Sequence, residues 1–489
     1  MDNPNFLIGE TWGFPGSNVE HIETHAAHVF LCGDRAFKIK KNVKLPYLDF
    51  STVELRHAVL ERELVVNRVF APDIYVKIIE KEGEPVLVMR RFDAKSMLSW
   101  YVENDKIDDQ LSISLSVAVA EAHRETIDAS EVGAEVMAGL GAQLSKAFAA
   151  SPDIFPRPAA KEFTTLYEDV LRNLTALLNR RGKNGLVRRC HGDMHCANIV
   201  VLKSKPVLFD AIEFSEKIAT IDVLYDLAFL IMDLLRYGQF RAANIILNRY
   251  LHLRRKEEDL SGLEALPLFL ATRAGVRALV TADLAHEMPV SESTKNRGEA
   301  YDYFSACIGF LKPKRPKLIC IGGLSGTGKS TLAASLAPVI EPPPGAIHIR
   351  SDIERKVLAG VDETERLVPE SYTKQNSQKV YDVVLDRSAC ALAAGMSVIV
   401  DAVFARETER LAFQQLAMNL GLRFHGFWLE AAAETLKARV ASRLGDASDA
   451  TPDVVDAQLG YDLGNITWER IDASGSLKEV QADIVASFN

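Results

Sequence analysis

The sequence predicts two domains: an α+β domain with a small strand-rich lobe and a larger helical lobe, then an α/β domain built on a parallel sheet. In residues 19–40, short apolar runs alternate around Gly33, as in antiparallel strands, and a long helical pattern follows. After residue 317, apolar runs alternate with helical segments, which is typical of a parallel sheet covered on both faces. Between the two regions, residues 312–317 hold two prolines and four basic residues and indicate a linker.

The composition is typical of a globular protein. Of 489 residues, 48% are hydrophobic and 25% are charged, and the net charge of -9 does not favour nucleic acid or an anionic membrane as a partner. The first residues lack the basic and apolar regions of a signal peptide. The longest apolar stretch, 223–235, contains two aspartates and is too short to span a bilayer. We therefore expect a cytoplasmic protein.

The first domain is expected to span residues 1–311, with a small lobe to about residue 95 and a helical lobe over 96–311. Gly33 and Asp34 mark the turn between two of its strands. The predicted elements are strands within 19–40, a helix from Thr52 to Phe70, a strand at 85–89, helices to about 181, a strand-rich insert at 187–210 and helices from 221 to about 310.

The second domain is expected to span residues 318–489, after the linker at 312–317. Because this linker resembles exposed interdomain segments, cutting the chain near Pro313 is expected to release two fragments that fold separately. The apolar runs that predict strands of the parallel sheet are 318–321, 346–349, 397–400 and 424–429.

The first candidate site lies in the segment 191–198, which reads HGDMHCAN. Asp193 precedes Asn198 by five residues, and Asp210 follows the apolar run 207–209. Phosphoryl transfer needs a carboxylate that accepts the proton of the attacking hydroxyl, and oxygen ligands that hold Mg²⁺ against the nucleotide phosphates. This spacing matches the catalytic loop of protein-kinase-like enzymes, with Asp193 in the first role and Asn198 and Asp210 in the second.

These residues carry a family resemblance. The pattern HGDxHxxN, the D-x-x-E-F segment at 210–214 and the DLA segment at 226–228 resemble the aminoglycoside phosphotransferase family over about residues 20–300. The resemblance implies a bilobal protein-kinase-like fold that uses ATP. The competing interpretation is a polar turn without catalytic function, since polar residues also cluster at ordinary turns.

The nucleotide-anchoring lysine is expected in the small lobe. Lys38 ends an A-x-K pattern like that of the nucleotide-binding strand of kinases, and Lys40, on the same strand face, is the alternative. The carboxylate partner of this lysine belongs on the following helix, where Glu61 and Glu63 both qualify by position. The family resemblance favours Glu63. No glycine occurs between His21 and Leu31, so a glycine-rich loop over the phosphates is not expected.

The second candidate site is a full Walker A motif between an apolar run and a helix. Glycines let backbone N–H groups turn toward the phosphates, Lys329 reaches the β and γ oxygens, and Ser330 is expected to bind Mg²⁺. The residues expected to contact the nucleotide here are Gly323, Ser325, Gly326, Thr327, Gly328, Lys329, Ser330 and Thr331.

Further polar residues follow the later strands of this domain. The SDxxR pattern at 351–355, the VIVDA segment at 398–402 and two late arginines resemble small-molecule and polynucleotide-type P-loop kinases over 317 to about 460. The resemblance implies that Asp352 orients the substrate hydroxyl, Arg355 binds the substrate and Asp401 supports Mg²⁺. It also implies that Arg439 or Arg443 acts on the transferring phosphate from a lid; the alternative is that both are solvated helix residues.

The leading functional hypothesis is a bifunctional kinase that uses ATP and Mg²⁺ to phosphorylate hydroxyl groups of small metabolites or sugars. A second hypothesis makes the P-loop domain an ATP-sensing regulatory module for the first domain. A third makes the first domain an aminoglycoside-modifying enzyme, whose polycationic substrate requires a dense acidic cleft. Asp352 and Arg355 favour catalysis over sensing in the second domain, because a switch needs no base beside a substrate pocket.

Overall fold

The protein is described by a computed structural model that covers residues 4–24, 26–45, 48–125, 132–442 and 447–486. It divides into two compact units, Met1–Ala242 with Leu268–Leu311, and Ala243–Pro267 with Lys312–Asn489. The sequence assigned residues 243–267 to the first domain, whereas they pack with the second unit. They form helices and carry no linker signal at either end, so the helical pattern alone does not reveal the change of unit.

The small lobe of the first unit is an antiparallel sheet with one long helix. The sheet order is β1-β2-β3-β7-β6, and the helix α1 begins after Thr52, whose side chain accepts from Leu55 N. The N-terminal segment covers one face of the sheet, where Trp12 stacks on Phe37 with ring centroids 4.3 Å apart. The elements are β1 (Glu20–Glu23), β2 (Ala27–Cys32), β3 (Arg35–Lys40), β4 (Lys44–Leu45), β5 (Leu48–Asp49), α1 (Val53–Phe70), β6 (Tyr75–Lys81) and β7 (Glu84–Arg90).

The helical lobe contains the strand-rich insert that the sequence predicts. Two short antiparallel pairs, β9 with β10 and β8 with β11, surround the segment 191–198. The elements along the chain to residue 311 are α2 (Leu98–Glu103), α3 (Asp109–Glu125), α4 (Ala134–Ala150), α5 (Arg157–Lys183), β8 (Val187–Arg189), β9 (Ile199–Leu202), β10 (Lys205–Leu208), α6 (Glu216–Ala219), β11 (Thr220–Asp222), α7 (Val223–Arg236), α8 (Phe240–Arg254), α9 (Glu257–Ser261), α10 (Leu266–Glu287) and α11 (Val290–Leu311). Of these, α9 and most of α8 belong to the second unit. The chain leaves the first unit within α8 and returns to it near the start of α10.

The second unit is built on a five-stranded parallel sheet with the order β13-β14-β12-β15-β16. The two strands β12 and β14 are almost entirely buried on both faces, as expected in the middle of a parallel sheet between helices. The predicted fold class of both domains is thereby confirmed. The elements are β12 (Lys317–Gly323), α12 (Lys329–Leu336), β13 (Ile347–Arg350), α13 (Ser351–Ala359), α14 (Lys374–Ala393), β14 (Val398–Asp401), α15 (Glu407–Asn419), β15 (Arg423–Glu430), α16 (Ala433–Ala441), α17 (Pro452–Leu459), β16 (Glu469–Asp472) and α18 (Leu477–Ala486).

Helix α8 covers the edge strand β13 of this sheet. Asn248 Oδ1 accepts from His348 N at 2.8 Å, and the side-chain amides of Asn244 and Asn248 donate to Ala346 O at 3.0 and 3.2 Å. An edge strand otherwise leaves its backbone groups without partners. Residues 243–267 are therefore part of the structure that completes the second unit.

This arrangement changes the expected result of cutting the chain near Pro313. The fragment 312–489 would lose three side-chain hydrogen bonds to the edge of β13, each worth about 1–3 kcal/mol when its loss leaves a buried group unpaired. We expect this fragment to aggregate in size-exclusion chromatography, or to unfold at a temperature well below that at which the second unit of the intact chain unfolds. Adding a peptide of residues 240–262 should raise its unfolding temperature. A fragment as stable and monomeric as the intact unit would contradict this account.

One helical stretch among the described residues, Glu257–Glu287, is long and apolar enough to cross a membrane by length and composition. Of its most apolar window, 72% is buried inside the protein.

Candidate active sites

The first site is built where β3, α1 and the segment after β10 meet. Lys38 Nζ lies 2.6 Å from Glu63 Oε1 and 2.8 Å from Asp210 Oδ1. The side chain of Glu63 is fully buried, that of Lys38 is 12% exposed and that of Asp210 is 42% exposed. Glu61, the alternative partner on α1, is exposed and contacts His57 instead. Lys38 and the candidate metal ligand Asp210 therefore belong to one ion-pair cluster, in which Asp210 is the member most exposed to solvent.

The charges of this cluster stabilise one another. Burial opposes ionisation of Lys38, but the carboxylates of Asp210 and Glu63 raise its pKa well above the usual value. Burial likewise opposes ionisation of both carboxyls, and the neighbouring lysines outweigh it, so that the pKa values of Glu63 and Asp210 are lowered. All three groups are thus charged at neutral pH, as binding of a metal and of phosphate requires.

Lys40 lies behind Lys38 on the same face of β3. Its Nζ is 2.7 Å from Glu63 Oε2 and 2.7 Å from Glu213 Oε1, and its side chain is only 5% exposed. Burial and the charge of Glu63 raise the pKa of Glu213, and Lys40 opposes this rise. Between the two lysines that qualify by sequence, Lys38 contacts Asp210 and Lys40 is enclosed by carboxylates. This geometry favours Lys38 as the residue that faces a nucleotide.

The segment 191–198 presents Asp193 beside Asn198. Asn198 Nδ2 donates to Asp193 Oδ2 and to Asp193 O, both at 2.9 Å, and His195 Nε2 lies 3.5 Å from Asp193 Oδ2. Burial tends to raise the pKa of Asp193, but the hydrogen bond and charge of His195 and the nearby His191 and Arg273 lower it to about 2. Asp193 is therefore ionised at neutral pH and can accept a proton or orient a donor.

Buried aspartates fix the backbone of the segment 191–198 by hydrogen bonds. Asp226 accepts from His191 N at 3.1 Å and from Gly192 N at 2.9 Å, and Asp233 accepts from Cys196 N at 2.9 Å. Gly192 has φ +86°, a left-handed conformation that favours glycine at this position. The DLA segment noted in the sequence therefore supplies the aspartate that anchors the loop.

A second support, not predicted from the sequence, fixes Asp210. This residue has φ 60°, and its N–H donates to the Tyr75 hydroxyl at 3.0 Å. The next residue is clamped by the fully buried Asn67 of α1, whose Oδ1 accepts from Ala211 N at 2.7 Å and whose Nδ2 donates to Ala211 O at 3.2 Å. Asn67 lies one turn after Glu63, so the same helix positions the lysine partner and the candidate metal ligand.

Replacing Asn67 with Leu should weaken metal-dependent nucleotide binding at the first site. Residues that hold a metal ligand in place typically change metal affinity by about 10- to 100-fold, and we expect about tenfold here because Asn67 acts through Ala211. The measurement is calorimetric titration of ATP into the Lys329→Ala chain, with and without Mg²⁺. Only the affinity measured with Mg²⁺ should fall.

A matched control is Tyr167→Phe, which removes the hydrogen bonds of a buried hydroxyl to Met137 O and Thr272 in the helical lobe. It should lower stability without changing the Mg²⁺ dependence of ATP binding. Equal losses of ATP affinity with and without Mg²⁺ in Asn67→Leu would show that Asn67 has a general structural role only.

The second site begins where β12 ends in the phosphate-binding loop. Gly323 and Gly326 have φ values of 137° and 91°, and a Cβ on Gly326 would lie 2.5 Å from Leu436 O. Both positions therefore require glycine. Lys329 Nζ donates to Leu324 O at 2.9 Å, and Ser325 N donates to Gln458 Oε1 at 2.8 Å.

The remaining loop residues predicted from the motif occupy different environments. Thr327 is buried and donates to Leu324 O at 2.9 Å, and Gly328 precedes α12 with φ 91°. Ser330, in the first turn of α12, faces the cavity beside the loop, whereas Thr331 is exposed on the same turn.

Ser330 meets Asp401 at the carboxyl ends of the strands, where ligands bind in such sheets. Ser330 Oγ donates to Asp401 Oδ1 at 3.0 Å, and His348 Nε2 lies 2.7 Å from Asp401 Oδ2. Burial would raise the pKa of Asp401, but His348, Arg350 and Lys329 outweigh it and lower the pKa to about 2. The hydroxyl and carboxylate oxygens form the kind of donor set that Mg²⁺ prefers. His348 was not predicted from the sequence.

A cavity of about 810 Å³ extends from the loop over the sheet edge. It is lined by Lys329 and Ser330 of the loop, by Asp401, and by Asp352 and Arg355 of α13. Burial and the negative charge of Asp401 raise the pKa of Asp352. A carboxylate with a raised pKa is better suited to accept a proton from a hydroxyl than an ordinary one.

Arg439, one of the predicted site residues, is not brought to this cavity. Arg439 Nη2 donates to Ala473 O at 2.9 Å, and Arg439 is not among the described residues that line the cavity. The position of Arg439 therefore does not support the predicted role of this arginine on the transferring phosphate. Arg443 lies outside the described residues. The cavity instead contains two arginines that the sequence did not single out, Arg366 and Arg406; Arg406 follows the VIVDA segment closely, which is the signal that could have identified it.

A protein family and two relatives are similar to this chain in sequence. Residues 318–461 match the family model of the AAA domain. An uncharacterized protein of Mycobacterium tuberculosis is 29% identical over 476 residues, which are 93% of this chain and 92% of the relative. An uncharacterized protein of Mycobacterium bovis has the same identity and coverage. Relatives of this chain therefore extend over both units.

Solved structures also resemble each unit. A choline/ethanolamine kinase family protein from Mesorhizobium loti aligns with 61% of this chain and 89% of its own, at 17% identity and a TM-score of 0.40. A gluconokinase from Sinorhizobium meliloti aligns with 35% of this chain and 91% of its own, at 19% identity and a TM-score of 0.27. At these identities and TM-scores, neither likeness indicates an activity or a substrate of this chain.

Proposed function

We propose that this chain is an ATP-dependent phosphotransferase with two sites, each of which transfers the γ-phosphoryl group of ATP to a hydroxyl group of a small molecule. The observation that carries the proposal is that each unit gathers a lysine, a pair of oxygen ligands and a further carboxylate. These are the groups that phosphoryl transfer requires for phosphate binding, metal binding and handling of the hydroxyl proton.

In the first unit, Lys38 would bind the nucleotide phosphates, and the oxygens of Asn198 and Asp210 would hold Mg²⁺. The ion would neutralise charge on the phosphates when bound. Asp193 would orient the acceptor hydroxyl and take its proton. The ionised state of Asp193 and its hydrogen bond from Asn198 support this assignment.

In the second unit, Lys329 and the backbone N–H groups of the loop would bind the phosphates. Ser330 and Asp401 fit Mg²⁺ by the chemistry of their oxygens and by their 3.0 Å contact. Asp352 would act on the acceptor hydroxyl, because it lines the same cavity and its pKa is raised. A cavity of about 810 Å³ is large enough for a nucleotide phosphate tail and a small acceptor.

The hypothesis that the second unit only senses ATP is less well supported. A sensing module needs a phosphate loop and a switching element, but no carboxylate beside an acceptor-sized cavity. Asp352 and Arg355 both line that cavity. The aminoglycoside specificity suggested by the resemblance of the first unit stays a prediction.

The proposal is tested by measuring ATP consumption of the intact chain with a library of sugars, polyols, amino alcohols and aminoglycosides. Asp193→Asn should remove activity toward one group of acceptors, and Asp352→Asn should remove activity toward another. The double variant should have neither activity. Acceptor-dependent turnover that survives in the double variant would refute the assignment of both sites.

A further inference from the structure

The cavity of the second unit contains cationic side chains in addition to the lysine of the phosphate loop. Arg355 projects from α13, Arg366 comes from the segment that follows α13, and Arg406 lies just before α15. Lys329 is the residue that reaches the β and γ phosphates in the Walker A arrangement. The arginines are cationic groups beyond that motif, and their surroundings indicate what they can bind.

Arg355 has no carboxylate within ion-pair distance among the residues that the structure describes. Its Nη1 donates to Ser371 O at 2.8 Å and to Ser377 Oγ at 3.4 Å, and its guanidinium lies 4.8 Å from the centre of the Tyr372 ring. These partners are neutral, and the buried Nε of Arg355 has no hydrogen-bond partner within the described ranges. A partly buried charge of this kind is stabilised when an anion binds beside it.

Two acidic side chains that line the same cavity already have hydrogen-bond or ion-pair partners. Asp449 lies 2.7 Å from Lys356 Nζ, and it accepts from Tyr372 Oη at 2.7 Å and from Leu367 N at 3.0 Å. Glu409 accepts from Arg406 N at 3.1 Å, and its Oε1 lies 3.8 Å from the guanidinium of that arginine. Asp449 and Glu409 therefore have cationic or N–H partners of their own.

Arg366 also lines the cavity. It is exposed at the cavity wall, and no ion pair joins it to a carboxylate in the part of the chain that the structure describes. Asp462, a further acid lining the cavity, is exposed and accepts from Gly464 N at 3.0 Å. The cavity thus contains two guanidinium groups, those of Arg355 and Arg366, that have no carboxylate partner among the described residues and can bind an anion.

We propose that the acceptor of the second site is a hydroxyl compound that carries an anionic group, a carboxylate or a phosphate, which Arg355 and Arg366 bind. This inference rests on the proposed phosphotransfer at that site and names its substrate class. The acceptor hydroxyl oxygen forms the new bond to the γ-phosphorus, the bond from that phosphorus to the β–γ bridging oxygen breaks, and ADP leaves. The hydroxyl proton passes to the Asp352 carboxylate. Guanidinium groups suit this recognition because their paired donors match both carboxylate and phosphate oxygens.

The test compares matched acidic and neutral acceptors on the intact Asp193→Asn chain, in which the first site is inactive. The acceptors are aldonic acids against the corresponding alditols, and sugar monophosphates against the free sugars. The readout is ADP formation under Mg-ATP. At least one acidic series should have a kcat/KM roughly hundredfold above its neutral counterpart, the scale of a lost buried charge pair. Which acidic series is active distinguishes a carboxylate from a phosphate.

Variants of Arg355 then separate substrate binding from nucleotide binding. Arg355→Ala should raise the KM of the acidic acceptor by about 30-fold and change the KM of ATP by less than about threefold, and Arg355→Lys should restore part of the loss. Arg423→Ala, at the exposed start of β15, is the matched control and should change neither KM.

Three results would overturn the inference. Equal turnover of neutral and acidic acceptors, with Arg355→Ala leaving their KM unchanged, would show phosphotransfer without anion recognition, and the proposed function would stand. An increase confined to the KM of ATP would assign Arg355 to the nucleotide. Absence of turnover with every acceptor, while Mg-ATP binding still depends on Lys329, would instead refute the phosphotransfer that this inference presupposes.

Discussion

Asp193→Asn should lower the turnover of the first site by about two to four orders of magnitude, the usual effect of losing a general base. The pKa of Asp193 is about 2, so the wild-type side chain is ionised at neutral pH. Asparagine has nearly the same shape and can still accept from Asn198, but it cannot take a proton. The measurement is acceptor-dependent ADP formation by the chain that also carries Lys329→Ala.

The affinity for Mg-ATP and the unfolding temperature should stay near those of the parent chain in the same experiment. Asp169→Asn is the control, because Asp169 is exposed on α5 and pairs only with Arg172 among the described residues. It should leave turnover unchanged. If Asp193→Asn kept full turnover, or lost stability in proportion to turnover, Asp193 would be a structural residue.

Lys40→Ala should destabilise the first unit by about 3 kcal/mol at pH 8, the scale expected when one partner of a buried ion pair is removed. Lys40 is the cation that lies between Glu63 and Glu213, 2.7 Å from each. Glu63 keeps its contact with Lys38, whereas Glu213 loses its only cationic side-chain partner in the described ranges. The free energy of unfolding is measured by denaturant titration monitored through circular dichroism.

The effect of Lys40→Ala depends on pH in a defined direction. The pKa of Glu213 is already raised in the folded protein, and loss of Lys40 raises it further. The cost of ionising Glu213 is absent below the pKa of the unfolded chain, near 4.3, and grows as the pH rises toward the folded pKa. The destabilisation should therefore be clearly smaller at pH 5 than at pH 8.

Two further variants check this explanation. Lys41→Ala removes the neighbouring lysine, which pairs with the exposed Glu23, and should cost less than about 1 kcal/mol. Adding Glu213→Gln to Lys40→Ala should recover part of the lost stability. A destabilisation independent of pH, or no recovery in the double variant, would mean that the lysine stem and not its charge stabilises the fold.

The parts of the sites that the sequence predicted are those encoded by short segments. The phosphate loop and the segment 191–198 are contiguous, and each needs its residue types at fixed spacings for its chemistry. The same locality explains β12 and β14, which are buried apolar runs followed by polar residues. The fifth strand, β16, has one buried residue in four, so it lacks a hydrophobic pattern that could have predicted it.

The features that the sequence did not predict depend on contacts between distant positions. Asn67 reaches Ala211 across 144 positions, and Asn248 reaches His348 across 100. A buried asparagine on a helix has no pattern that distinguishes it from a solvated one. For the same reason, the assignment of residues 243–267 to the second unit follows from packing and not from any local signal.

Calorimetric titration of the intact chain with Mg²⁺ and a non-hydrolysable ATP analogue tests the central claim most directly. Two separate sites predict about two bound nucleotides per chain, about one in Lys38→Ala, about one in Lys329→Ala and none in the double variant. The affinity of each remaining site should change by less than about fivefold, which corresponds to about 1 kcal/mol of coupling. Binding of a single nucleotide by the unmodified chain, or loss of both nucleotides in either single variant, would contradict the presence of two independent sites.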